Sequence, residues 1–130
     1  MIFKLEEEHL SVKEAAREFA KTRLKEGVIE RDISMAYPTE FVKEMGEMGF
    51  LSMMTDPKYG GSGMDTLSYV LAMEEISKID SSCSVIMSVN NSLVLFGLEK
   101  YGTEEQKQKY IPRLTTGAEV GCFCLSEPEA

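Results

Sequence analysis

The segment from Ser82 to Lys100 constrains the fold more than any other part of the chain. At helical spacing, apolar side chains cover most of its circumference. A helix of that kind is expected at the centre, with other elements packed around it. Its most apolar run, Val85 to Leu98, is interrupted by Ser88, Asn90, Asn91 and Ser92. It therefore reads as a core helix and not as a transmembrane span.

The rest of the chain supplies elements to pack against it. A first helix is expected from about Glu6 to Lys25. Glu6, Glu7 and Glu8 favour its start through the helix dipole, and Gly27 ends it. Val12, Ala16, Phe19 and Ala20 form a stripe at spacings of three and four. A second helix begins at Pro38, with Phe41, Met45 and Met48 on one face and Gly49 as its stop. Turn formers fill Thr55 to Gly63. Asp65 caps a third helix reaching about Ile79, with Leu67, Val70, Leu71 and Ile76 as its core face. After the central helix, Gly102 is a stop, and Thr103-Glu104-Glu105-Gln106 is a capping box opening a fifth, short helix. Pro112 and Thr116-Gly117 end that helix.

After Glu119 the period changes from helical to two. Val120, Cys122 and Cys124 alternate with Gly121, Phe123 and Leu125, the pattern of a strand buried on both faces. The expected class is all-α: a bundle of about five helices followed by the first strand of a truncated β-domain. The boundary falls between residues 1–117 and 118–130. A lone strand is not stable, so the sequence reads as a piece of something longer.

Composition narrows the function. The 130 residues are 43% apolar, enough for a core in one ordinary domain. Basic residues number 14 against 22 acidic ones, a net charge of −8. No basic face is evident, which argues against nucleic acid and against anionic membranes. A single histidine makes a His-based metal or triad site improbable. Three cysteines not spaced as a disulfide framework suit a reducing compartment, simplest the cytoplasm. Met1-Ile2-Phe3-Lys4 runs straight into charge and does not read as a signal peptide.

Several motifs invite chemistry. Gly60-Gly61-Ser62-Gly63 suggests a phosphate loop but lacks a following Lys-Ser/Thr, so it reads as a tight loop. Glu74 and Glu75 are adjacent on a helix and point about 100° apart, which suits ion pairing better than acid–base work. Cys122 and Cys124 share a strand face without completing a metal set, and read as small buried side chains. His9 is expected at the surface, and the methionines from Met45 to Met64 as core filling. The richest stretch is Gly121-Cys122-Phe123-Cys124-Leu125-Ser126-Glu127-Pro128, where backbone donors and a hydroxyl leave a strand end. Such groups can bind a planar polar heterocycle, and an ordinary strand end with a turn would look the same.

This last stretch, with Glu129-Ala130, resembles the opening of the acyl-CoA dehydrogenase signature, Phe-x-Leu-Ser/Thr-Glu-Pro-x-Ala-Gly-Ser-Asp. Four further blocks agree in order: Glu47-Met48-Gly49-Phe50, Asp56 to Gly63, Asn91-Ser92-Leu93, and Tyr101 to Lys107. The run Val85 to Leu93 is most similar to short-chain (butyryl-CoA) members. The match covers essentially the whole chain.

The resemblance implies an FAD-dependent oxidoreductase of fatty-acid β-oxidation that oxidises the Cα–Cβ bond of an acyl-CoA. A glutamate takes the α-proton, hydride passes to FAD, and electrons go on to electron-transfer flavoprotein. Phe123, Leu125 and Ser126 match positions lining the flavin, where hydrogen bonds stabilise its reduced form. The helix around Ser92, Leu95, Phe96 and Leu98 resembles the wall of the acyl pocket. Val12, Phe19, Phe50 and Met64 are candidates for the partner's apolar anchor site, although Ser62 stands where a leucine is familiar. No glutamate of this chain matches the base, and no metal is implied. The full-length form is expected to be a homo-oligomer, in the cytoplasm or, in a eukaryote, the mitochondrial matrix. The alternatives are a free-standing helical binding or oligomerisation module without catalysis, and the front of an acyl-CoA oxidase or flavin monooxygenase of the same fold.

Overall fold

The structure, a computed structural model, describes residues 4–129. Met1, Ile2 and Phe3, on which the reading of the N-terminus leans, and Ala130 of the signature lie outside the described residues. Among those described there are six helices and no strand.

Helix α1 is Glu7–Phe19, continued without interruption by a π-helical turn over Ala20–Leu24. Val12, Ala16, Phe19 and Ala20 are buried as their spacing requires. His9 fixes the start of this helix. The Glu6 N–H donates to His9 Nδ1 at 3.1 Å, which leaves the proton on Nε2, 2.9 Å from Asp65 Oδ2. The only histidine is thus a strut between α1 and the N-cap of α4, Thr66–Ser77. The Ser68 N–H and then His9 hold the Asp65 carboxyl at a pKa of about 2.

Helix α2, Val28–Ser34, has no counterpart in the sequence reading. It buries no residue, so no apolar stripe announces it. Arg31 holds it in place instead. Its guanidinium donates to the carbonyls of Leu24 (2.6 Å) and Glu26 (2.7 Å) and to Asp80 Oδ2 (3.0 Å), and lies 4.6 Å from the centre of the Phe41 ring. Helix α3, Thr39–Glu47, follows Pro38 and stops at Gly49, whose φ of +78° a side chain would resist.

The α4 core face differs from the expected one. Leu67 and Val70 are exposed, while Ser68, Tyr69, Leu71, Ala72, Glu75 and Ile76 are buried. The helix is turned because its polar side chains have partners inside. The Tyr69 hydroxyl donates to Ser88 Oγ, and Glu75 accepts from Arg17 Nε (3.1 Å) and Lys78 Nζ (3.0 Å). Arg17 first, then Lys78, pulls the Glu75 carboxyl down to about 2 against the cost of burial.

Helix α5, Ser81–Tyr101, is the segment apolar all round. It comprises α-helix over Ser81–Ser88, a π-helical stretch over Val89–Leu95, and α-helix over Phe96–Tyr101. By length and composition it matches a membrane span: an 18-residue window has a mean hydropathy of 1.4, and 33% of that window is buried. Its inner face packs on α3, α4 and the 3-10 turn Phe50–Ser52. The expectation of burial all round is corrected: Val85, Leu93 and Phe96 face outward. Such a helix needs two packed faces, and the described residues cover one.

Helix α6, Glu104–Thr115, opens on the expected capping box, with Thr103 and Gln106 bonded reciprocally. It packs Ile111 and Leu114 against Tyr59 and Leu95 in a second small core. The expected strand over 120–125 does not form among the described residues. A strand exists through its ladder, and no paired segment lies beside it.

Glu75→Gln tests the α1–α4 ion cluster. A carboxyl held at about 2 instead of 4.5 stabilises the fold above pH 4.5, and that contribution fades as pH falls through 4.5 toward 2. In urea unfolding at pH 7 the variant is expected to lose about 2 kcal/mol, the scale of a charged hydrogen bond. The gap to the parent protein should shrink steadily below pH 4.5.

Candidate functional site

Asn90 and Asn91 lie in the π-helical stretch of α5 and are buried, at 0% and 2% exposure. Every polar atom of the two carboxamides is used. Asn91 Oδ1 accepts from the Met53 N–H (2.7 Å), and its Nδ2 donates to the Phe50 and Met87 carbonyls. Asn90 Nδ2 donates to the Leu51 and Leu114 carbonyls, and its Oδ1 accepts from the Gly121 N–H at 3.0 Å. These bonds fix the 3-10 turn, the end of α6 and the C-terminal segment to one stretch of helix. Single π turns inside α-helices are frequent at functional sites.

The opposite side of α5 presents Val85, Val89, Leu93 and Phe96 at spacings of four, four and three. Val85, Leu93 and Phe96 are exposed and Val89 is half-buried. Of the expected acyl-wall residues, Phe96 stands on this outer stripe. Ser92 is half-buried and donates to the Ser88 carbonyl at 2.8 Å. Leu95 is fully buried against Tyr59 and Ile111, and Leu98 packs on the same cluster. Val89 and Leu93 share this stripe and are not among the residues expected from the sequence. Two consecutive asparagines at the middle of an apolar helix were the available signal, because they mark the inward side and so the outward one.

The C-terminal segment runs from the Asn90 contact to Pro128. Phe123 and Leu125 are 52% and 75% exposed, and Ser126 is exposed. Two apolar side chains, backbone donors and a hydroxyl within four residues suit a planar heterocycle with polar edges, so this donor set fits a flavin.

A shallow pocket of about 90 Å³ lies between α1 and the 3-10 turn. Val12, Phe50 and Met64 line it, with Met48, Gly49 and Met53. Phe19 does not reach it and packs beneath, its ring centre 5.9 Å from that of Phe50. Three of the four expected anchor residues are thus brought together and the fourth supports them.

Other motifs carry structure. The N–H groups of Gly60, Gly61, Ser62 and Gly63 donate to the carbonyls of Pro57, Asp56, Ser52 and Thr55, so no donor is left for a phosphate. Cys122 and Cys124 are exposed, contrary to the buried role expected of them, because the strand that would bury them is not formed. Among the described residues no three acidic, His or Cys side chains group as a metal site. Cys83 is buried, which pushes its thiol up to about 12 and makes it inert.

Residues 6–118 match the family model described as the acyl-CoA dehydrogenase, N-terminal domain. The chain belongs to the acyl-CoA dehydrogenase family. It is 44% identical over 124 residues to the mitochondrial short-chain specific acyl-CoA dehydrogenase of Bos taurus, covering 95% of this chain and 30% of that protein. It is 41% identical over 130 residues to the short-chain specific acyl-CoA dehydrogenase of Clostridium acetobutylicum, covering 100% and 34%. The butyryl-CoA dehydrogenase structure from Megasphaera elsdenii superposes with a TM-score of 0.92 at 35% identity, over 100% of this chain and 35% of that one. The chain therefore spans about a third of the length of these acyl-CoA dehydrogenases.

Asn91→Ala would orphan the Met53 N–H and the Phe50 carbonyl in the interior of this domain. Unpaired buried groups cost about 1–3 kcal/mol each, so a loss of about 3 kcal/mol is expected. Urea denaturation with unchanged m-value checks it; a loss below about 1 kcal/mol would show that water reaches the site.

Proposed function

We propose that this chain is the N-terminal region of a flavoenzyme that oxidises the Cα–Cβ bond of short-chain acyl-CoA thioesters. One observation carries the reading. In a chain whose relatives include enzymes named short-chain specific, the helix that carries the outward apolar stripe also anchors, through Asn90 and Gly121, the donor-bearing segment at Phe123–Ser126. FAD, when bound, supplies the hydride acceptor. Phe123 and Leu125 offer it apolar cover, and the Ser126 hydroxyl with nearby backbone donors offers hydrogen bonds to its electron-rich reduced ring.

Phe96, with Leu93 and Val89, forms the acyl wall, and Ser92 flanks it. Leu95 and Leu98 hold that wall from behind through their packing on Tyr59 and Ile111. Bulky side chains on the stripe restrict the length of acyl chain that fits. None of this chain's glutamates serves as the base; Glu75, the most buried, is committed to Arg17 and Lys78. The boundary at residues 117–118 marks the passage to a β-domain. The Val12–Phe50–Met64 pocket, sized for one apolar side chain, is the anchor point for electron-transfer flavoprotein. The complete enzyme works as a homo-oligomer in a reducing compartment, the bacterial cytoplasm or the mitochondrial matrix, on neither nucleic acid nor a membrane.

The exposed flavin-facing segment needs contacts from elsewhere to become a pre-organised site. The purified 130-residue chain is expected to be colourless and without turnover on butyryl-CoA. Stoichiometric yellow FAD on the isolated chain would sink that claim. A longer protein containing this chain should bind FAD, bleach with butyryl-CoA and pass electrons to electron-transfer flavoprotein; rapid oxygen consumption instead would make it an oxidase.

A further inference from the structure

Gly121 meets α5 at two points. Its N–H donates to the buried Asn90 Oδ1 at 3.0 Å. Its Cα lies so close to Val94 that a Cβ there would fall 2.5 Å from Val94 Cγ1 and 2.7 Å from Cγ2. Val94 is β-branched, so its side chain has little freedom to turn aside. Asn90 cannot swing either, since its Nδ2 is held by the Leu51 and Leu114 carbonyls. Two residues beyond this fixed point begin the side chains that face the flavin in the reading above. Three and six residues beyond Asn90, on the other side of α5, stand Leu93 and Phe96.

We propose that Asn90 and Val94 clamp Gly121 and thereby set the distance between the flavin-facing segment and the acyl-facing side of α5. Both are positioning residues and touch neither ligand. The inference rests on the proposed function, because it assigns the clamp a purpose only if Phe123–Ser126 and Leu93–Phe96 face cofactor and substrate. Its physical sense is that hydride transfer demands a donor–acceptor separation held within a fraction of an ångström. A buried side-chain acceptor and a steric stop fix the segment at the point where it leaves the helical domain.

The first readout is amide exchange in the 130-residue chain. The Gly121 N–H should exchange about tenfold or more slowly than that of Phe123, as expected for a part-buried hydrogen bond to a buried acceptor beside open backbone. Asn90→Ala should abolish that protection. Because this variant also strips the Leu51 and Leu114 carbonyls of their donor, Gly121→Ala is the second probe; Val94→Ala on top of it removes Cγ1 and Cγ2 and leaves the Val94 Cβ at 2.8 Å, so rescue is expected to be partial. Gly121→Ala should lose the protection, and the double variant should regain part of it.

The second readout uses a longer protein that carries this chain and binds FAD. There Gly121→Ala should shift the flavin potential and slow flavin reduction by saturating butyryl-CoA about tenfold, with KM little changed. Adding Val94→Ala should recover part of both. Rapid exchange at Gly121 in the parent chain would overturn the clamp. So would a Gly121→Ala enzyme with unaltered potential and reduction rate. If the parent longer protein holds no flavin and turns over no acyl-CoA, the functional reading itself falls; if it does both while the variants change nothing, only the clamp falls.

Discussion

Two carboxamides buried in an apolar helix hold this fold to one arrangement. A buried amide left without partners would cost more than most single apolar contacts return. Asn90 and Asn91 therefore act as sockets, and the groups that fill them have no second place to go. The Met53 N–H and Phe50 carbonyl pin the 3-10 turn, the Leu114 carbonyl pins the end of α6, and the Gly121 N–H pins the C-terminal segment. Hydrophobic burial alone would let these pieces slide, since it is non-directional. The directional bonds convert a bundle of amphipathic helices into one with defined loop positions.

The same pair shows where sequence reading reaches its limit. Asp65 as a cap, the Thr103–Gln106 box, the stop at Gly49 and the α1 stripe were all legible, because each is a local pattern tied to local geometry. Asn90 and Asn91 were legible only as interruptions of an apolar run. All but one of their partners come from positions 24 to 41 residues away and from opposite directions in the chain, which no periodicity encodes. Helix α2 escaped for the opposite reason. It has no buried face, and the Arg31 contacts that hold it involve carbonyls, which sequence does not display.

Half of the expected α4 face is buried, Leu71 and Ile76, and half is not, because apolar character alone does not fix burial. Leu67 and Val70 are exposed, and Tyr69 and Glu75 take the interior, since the hydroxyl and the carboxylate each have a partner there. The stretch proposed to face the flavin is legible as a motif and not as structure. Alternation over 120–125 reports what a strand would need on each face, while a strand requires a neighbour that the described residues do not supply.

Helix α5 joins these points to function. A helix apolar on two sides, with one side filled by its own domain, carries an unfilled requirement on the other. Val85, Val89, Leu93 and Phe96 meet that requirement only when something apolar covers them, and scattered exposed residues would not form such a continuous stripe. The buried asparagines make the stripe rigid, since rotating α5 to hide Leu93 or Phe96 would drag both carboxamides out of their sockets. The helix thus cannot relieve its exposed face by turning inward. A surface that is apolar and unable to adapt is suited to measuring the size of what lies against it, which is the property an acyl-chain wall requires.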